Sequence, residues 1–166
     1  RHARLHQVLL VEKGGGSVTL DGKAHPLTQG SMVNVPPNHV HSFRFEKDTR
    51  GWVTTLADEL MDELLVGVGT QRSEINQATV LQSDAFIAKT VQQIWLEFSS
   101  QEKARALMLR GLSGVLLAWV ARQLAAASIG DAQANDSVLV QRFKALIEQN
   151  FASHWKVSQY AKALSI

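Results

Sequence analysis

Two adjacent prolines and an asparagine, Pro36, Pro37 and Asn38, separate two short runs of β-forming residues, Met32 to Val35 and Val40 to Phe45. Proline has no backbone N–H to give to a ladder and holds φ near one value, so no central strand can run through this point. The unit is strand, rigid turn, strand. Side chains alternate across a strand, which puts His39, His41, Phe43 and Phe45 on one face and Val40, Ser42 and Arg44 on the other. One face therefore carries imidazoles and aromatic rings.

The rest of residues 1–57 reads the same way. Leu5 to Val11 is a strand, followed by Gly14-Gly15-Gly16; Val18 to Leu20 leads into Asp21-Gly22, a strong hairpin signal, and Lys23 to Leu27 returns. After Gly51, Trp52 to Leu56 is a further strand. Six short strands separated by turn residues predict a barrel or sandwich.

Helical spacing begins at Asp58 to Leu65, and a glycine-bearing stretch from Gly67 to Gln77 reads as loop. Ser83 is placed to cap a helix whose stripe is Ile87, Val91, Ile94, Trp95 and Phe98. The helix over 102–127 has two apolar faces. Met108, Leu112, Val115, Leu116 and Trp119 form a large-residue face; Ala104, Leu107, Gly111, Gly114, Ala118, Ala121 and Ala125 form a seam of mostly small residues. Such a helix needs two partners: the seam predicts a homodimer, the alternative being that both faces pack inside this same domain. Ser128 to Asp136 reads as a helix-breaking linker, Ser137 to Phe151 as an amphipathic helix, His154 to Val157 as a break, and Ser158 to Leu164 as a last helix.

A chain of 166 residues can bury a real core. The absence of cysteine excludes a disulfide scaffold, a thiol nucleophile and a cysteine zinc site, and favours the cytoplasm. The longest apolar run, Val115 to Ala121, is far short of the roughly 18 residues of a membrane span. Residues 141–166 hold four Lys/Arg against one acid, making the C-terminal piece the basic one.

No Ser-His-Asp or Cys-His arrangement is readable, so no catalytic residue is assigned, and Gly14-Gly15-Gly16 lacks the following helix of a phosphate loop. The ligand-binding candidates are His41, Arg4 and His6 on one strand parity, Asn34 among β-branched neighbours, and Trp52 as an aromatic wall. His39 reads as a rim residue, His25 as turn decoration and His154 as part of a helix junction.

Gly30, Pro36 and His41 match the second conserved motif of the cupin β-barrels, G-x5-P-x-G-x2-H-x3-N, which this stretch resembles. Asn38 stands for the second glycine, a mild change because asparagine tolerates the left-handed conformation, and Phe45 stands for the final asparagine. In the first cupin motif His2 would be the second histidine, Gly14 the final glycine, and Gln7 would replace the glutamate. A neutral amide oxygen is a poorer metal donor than a carboxylate. The expectation is no metal and no cofactor, with a set of His2, His6 and His41 left as the metal alternative.

Phe143 to Phe151 followed by Trp155 to Leu164 resembles the opening of the AraC/XylS-type DNA-binding domain, with Ala161 and Leu164 on its packing positions. The resemblance implies an α+β chain: a cupin-like ligand-sensing barrel over 1–82, a helical dimerisation unit over 83–127, a linker over 128–136, and the truncated start of a helix-turn-helix domain over 137–166. The run from Leu5 through Val35-Pro36-Pro37 to Gly51-Trp52-Val53 is most similar to the 4-hydroxybenzoate-responsive activators of aromatic degradation. That likeness implies a small aromatic carboxylate as effector. The second helix of a helix-turn-helix reads the DNA and would follow Leu164, so DNA is a partner expected of a longer protein only. The alternative is a metal-dependent cupin enzyme acting on a small aromatic or organic acid.

Overall fold

The computed structural model describes residues 4–150 and 157–164. Residues 1–124 and 125–166 form two compact units.

In the first unit seven strands make two antiparallel sheets. β1 (Leu5–Lys13), β4 (Ser31–Val35), β6 (Arg50–Ala57) and β7 (Thr79–Gln82) form one, in the order β6-β1-β4-β7. β2 (Gly16–Leu20), β3 (Lys23–Leu27) and β5 (His41–Phe45) form the other, in the order β3-β2-β5. The expected cupin-like barrel thus takes the form of two sheets, of four and three strands. β7 is the strand that the sequence reading missed.

The turns behave as their residues dictate. Asp21 (φ 45°) and Gly22 (φ 87°) are both left-handed, the geometry of a two-residue hairpin, and set Leu20 opposite Lys23. Asn38 takes φ 71°, as its place in the turn requires. Asp21 also anchors that turn: its Oδ1 accepts from the Val40 N–H at 2.9 Å and its Oδ2 lies 2.5 Å from His39 Nδ1. The His39 contact, then the Val40 N–H, holds the Asp21 carboxyl below its ordinary pKa. Gly16 opens β2 in close contact with β5, where a Cβ would stand 2.2 Å from the Arg44 carbonyl oxygen.

The four-stranded sheet is apolar on both faces. Leu9, Val11, Val33 and Val35 turn towards the other sheet and pack with Val18, Leu20, Leu27 and Phe43. Val8, Leu10, Met32 and Leu56 turn the opposite way, onto a helical layer. That layer holds α1 (Asp58–Leu65), a 3-10 turn (Arg72–Ile75), α2 (Ala85–Ser99) and the start of α3 (Arg105–Asn150). The N-cap of α2 is Asp84, not Ser83: its Oδ1 accepts from the Ile87 N–H at 2.8 Å and its Oδ2 from Trp119 Nε1 at 3.0 Å, joining α2 to α3. Those two donors, the Ile87 N–H first, keep the Asp84 carboxyl below its ordinary pKa.

Of the expected large-residue face of α3, Leu116 and Trp119 are in the core and Leu112 packs against it, but the buried stripe is turned from the expected one. Leu116, Leu117, Val120 and Leu124 are buried with Trp119, whereas Met108 and Val115 are exposed. By length and composition Arg105–Ser128 could cross a membrane, yet its buried side chains belong to the core shared with the sheet. The stretch 128–136, read as a linker, is helical and continuous with both flanking segments. A single helical glycine costs about 1 kcal/mol relative to alanine, so Gly130 alone does not stop a helix free of proline.

In the second unit α4 (Val157–Leu164) starts one residue before the expected helix, and the Phe143 and Tyr160 rings meet edge to face at 5.7 Å. Of the expected break at 154–157, residues 154–156 lie outside the described residues, as does His2.

Candidate functional site

Strand register decides which candidates can share a site. On β2, Leu20 pairs with His41 on one side and Lys23 on the other, and Val18 pairs with Phe43 and His25. His41, Phe43, Lys23 and His25 therefore share the inward face of the three-stranded sheet with the buried Val18 and Leu20. The His41 ring meets Phe43 edge-on at 5.8 Å, and Phe43 stacks on Phe45 at 5.6 Å with 6° between planes. His41 Nδ1 lies 3.2 Å from the His39 carbonyl oxygen, a contact in which the ring donates.

On the facing sheet Gln7 pairs with Val35 and Thr55, so these share the parity of the inward Leu9 and Val33. Gln7 Nε2 donates to Thr55 Oγ1 at 3.4 Å. Val35 and His41 bracket the Pro36-Pro37 turn, so Gln7 and Thr55 lie at the same end of the inter-sheet layer as His41. Both imidazoles and Phe43 are only partly buried, and Lys23 is exposed, so this end is open to solvent.

His6, Asn34 and Trp52 sit on the other face of the four-stranded sheet. His6 pairs with Leu56, Val8 with Asn34 and Thr54, and Leu10 with Trp52, all on the parity that packs on helices. His41 therefore does not share a pocket with His6, Asn34 and Trp52 as expected. β1 is apolar on both faces, so alternation alone could not say which parity was inward.

Asn34 is fully buried, and its Nδ2 donates to the Ile75 and Gln77 carbonyls at 3.0 and 2.9 Å. Those bonds fix the amide, leaving Oδ1 to accept from His6 Nε2 at 2.7 Å. Burial pushes the His6 pKa below its ordinary value against the opposing pull of Asn34, so the ring is neutral at pH 7 with its proton on Nε2. The pair fastens β1 and β4 to the loop before β7.

His6 also borders a cavity of about 530 Å³ that includes His39, Asp58 and Arg72. Arg72 is neutralised there: Nη1 and Nη2 donate to Asp58 Oδ1 and O, each at 2.8 Å, and Nε lies 3.0 Å from Asp62 Oδ1. Arg4, one of the expected ligand contacts, is exposed and ion-paired with Glu59. His39, read as a rim residue, shares the cavity with His6 in place of His41.

Of the alternative metal set His2, His6 and His41, His6 and His41 lie on different sheets and faces and His2 lies outside the described residues; among the described residues no group of three His, Cys, Asp or Glu could hold a metal. Lys23 and His25, the latter read as turn decoration, were not among the expected candidates on this face. The signal was present, because a two-residue turn at Asp21-Gly22 fixes the pairing of Lys23 and His25 with β2.

Residues 1–113 match the family described as the AraC-like ligand binding domain. A similar solved structure is that of an apo variant of ToxT from Vibrio cholerae, 12% identical with a TM-score of 0.46; the match covers 99% of this chain and 63% of that one. The chain thus spans less than two thirds of that relative. No curated protein matches the chain.

Proposed function

The chain belongs to the AraC-like ligand-binding domain family, and we propose that it is the non-enzymatic, metal-free sensing part of a cytoplasmic transcriptional regulator whose effector is a small aromatic carboxylate such as 4-hydroxybenzoate. The observation that carries the effector class is the inward face of the three-stranded sheet, where His41, His25 and Lys23 lie in register beside Phe43 and Phe45. Stacked rings offer a surface for an aromatic ligand. Imidazole N–H groups and an ammonium satisfy a carboxylate by charge-assisted hydrogen bonds, and Gln7 and Thr55 on the opposite wall offer polar partners for a ring hydroxyl. Lys23 supplies the cation, since the charge of Arg4 is already met by Glu59.

In a titration of the wild-type chain, 4-hydroxybenzoate should bind about tenfold more tightly than 4-hydroxybenzamide, which keeps the ring and loses the charge. Equal affinities would remove the carboxylate from the proposal. Operator recognition falls to a longer protein, with 137–166 as the opening of its DNA-binding domain.

The proposed homodimer uses the outer stripe of α3. Leu107, Gly111 and Ala118 of the small-residue seam are exposed there, and a Cβ at Gly111 would meet nothing within 4 Å. Gly114 instead faces α1, where a Cβ would lie 3.9 Å from Leu64 Cδ2. Gly111→Leu should therefore block close approach of two helices without disturbing the fold, shifting the chain from dimer to monomer in sedimentation. A wild type that is monomeric at high concentration would exclude the dimer.

A further inference from the structure

The aromatic cluster around Trp52 does not belong to the inter-sheet site. Trp52 projects from the helix-facing side of β6 and meets Trp95 of α2 with ring centroids 5.0 Å apart. Between them and the start of α3 lies a cavity of about 390 Å³, walled also by Val91, Ile94, Leu109 and Ser113. Small-molecule pockets run from about 300 to 1,000 Å³ and are mostly apolar with a few placed polar groups. This one has that character, and none of its lining side chains is charged.

Its wall contains an unmet hydrogen-bonding need. Trp52 Nε1 is buried and has no acceptor among the described residues. A buried indole N–H is ordinarily paired, and leaving one unpaired is unfavourable. Trp119 shows the contrast, since its Nε1 donates to Asp84 Oδ2. The cation beside the cavity is already occupied: Arg105 lies over the Phe98 ring at 5.1 Å and donates from Nε to the Glu97 carbonyl at 3.1 Å.

We infer that this cavity is a second small-molecule site, separate from the proposed effector site, and that it takes a neutral aromatic compound whose oxygen accepts the Trp52 N–H. Neutrality follows from the walls, because an unpaired charge is strongly disfavoured in an apolar cavity. An aromatic ketone or aldehyde has the required shape and a single good acceptor. A ligand there touches β6, α2 and α3 together, which makes it a brace between the sheet and its helical layer.

Acetophenone and α-methylstyrene test this directly, because they share a shape and differ in whether a carbonyl oxygen or a methylene stands beside the ring. Titrated against the wild-type chain, acetophenone should bind about tenfold more tightly, the discrimination expected when a buried donor gains or lacks its acceptor. In Trp52→Phe, which keeps an aromatic ring and loses the donor, the preference should vanish while 4-hydroxybenzoate binding is unchanged. Leu109→Trp, at a half-buried position of the wall, should exclude both probes. Equal affinity of the two probes for the wild type, no saturable binding of either, or a preference that survives Trp52→Phe would each overturn the inference. Should Trp52→Phe fail to fold, acetophenone binding that persists in Leu109→Trp would do the same. Loss of 4-hydroxybenzoate binding alone would count against the effector site and leave this one standing.

Discussion

Replacing Asn34 with leucine should lower the stability of the first unit by about 3–5 kcal/mol, because an isosteric apolar side chain would leave two buried groups and one part-buried carbonyl without their partners. These are the Ile75 and Gln77 carbonyls and the His6 Nε2–H. Leucine conserves volume, so the loss reports hydrogen bonds rather than a cavity. Each orphaned group costs about 1–3 kcal/mol, reduced where water can reach it. The check is chemical denaturation at neutral pH, paired with His6→Leu and the double variant. If the three groups act as one network, the double variant should lose clearly less than the sum of the singles. A loss below about 1 kcal/mol in Asn34→Leu would mean that the loop before β7 is held in some other way.

Local chemistry made most of the sheets legible. Asp21-Gly22 and Asn38 sit where left-handed backbone is needed, and the strands on either side fall within two residues of their expected ends. The facing of β1 was hidden, since Val8, Leu9, Leu10 and Val11 are all buried and no polar side marks the outside. The candidate site suffered most from this: Asn34 and His6 looked like ligand contacts because they are polar residues in an apolar strand, and that same setting explains why they bond to each other. β7 was missed because Thr79–Gln82 is short and begins directly after a loop. On α3 the buried stripe is rotated by about one residue, roughly 100°, from the expected one, which keeps Leu116 and Trp119 in the core and leaves Met108 and Val115 exposed.

His41→Ala should weaken the binding of 4-hydroxybenzoate by about ten- to a hundredfold, the range expected when one hydrogen bond to a charged acceptor is removed. His41 lies at the partly exposed end of β5, where truncation leaves the neighbouring Val18 and Leu20 core in place, so the variant should unfold close to the wild type. That combination separates a lost contact from a lost fold. Isothermal titration of wild type and His41→Ala side by side is the most direct measurement of whether the chain senses an aromatic acid between its two sheets. Saturable binding to the wild type with a loss of tenfold or more in the variant is the expected result, at about the 1.4 kcal/mol that a tenfold change represents; equal affinity in the two proteins, or no binding to the wild type, would contradict it.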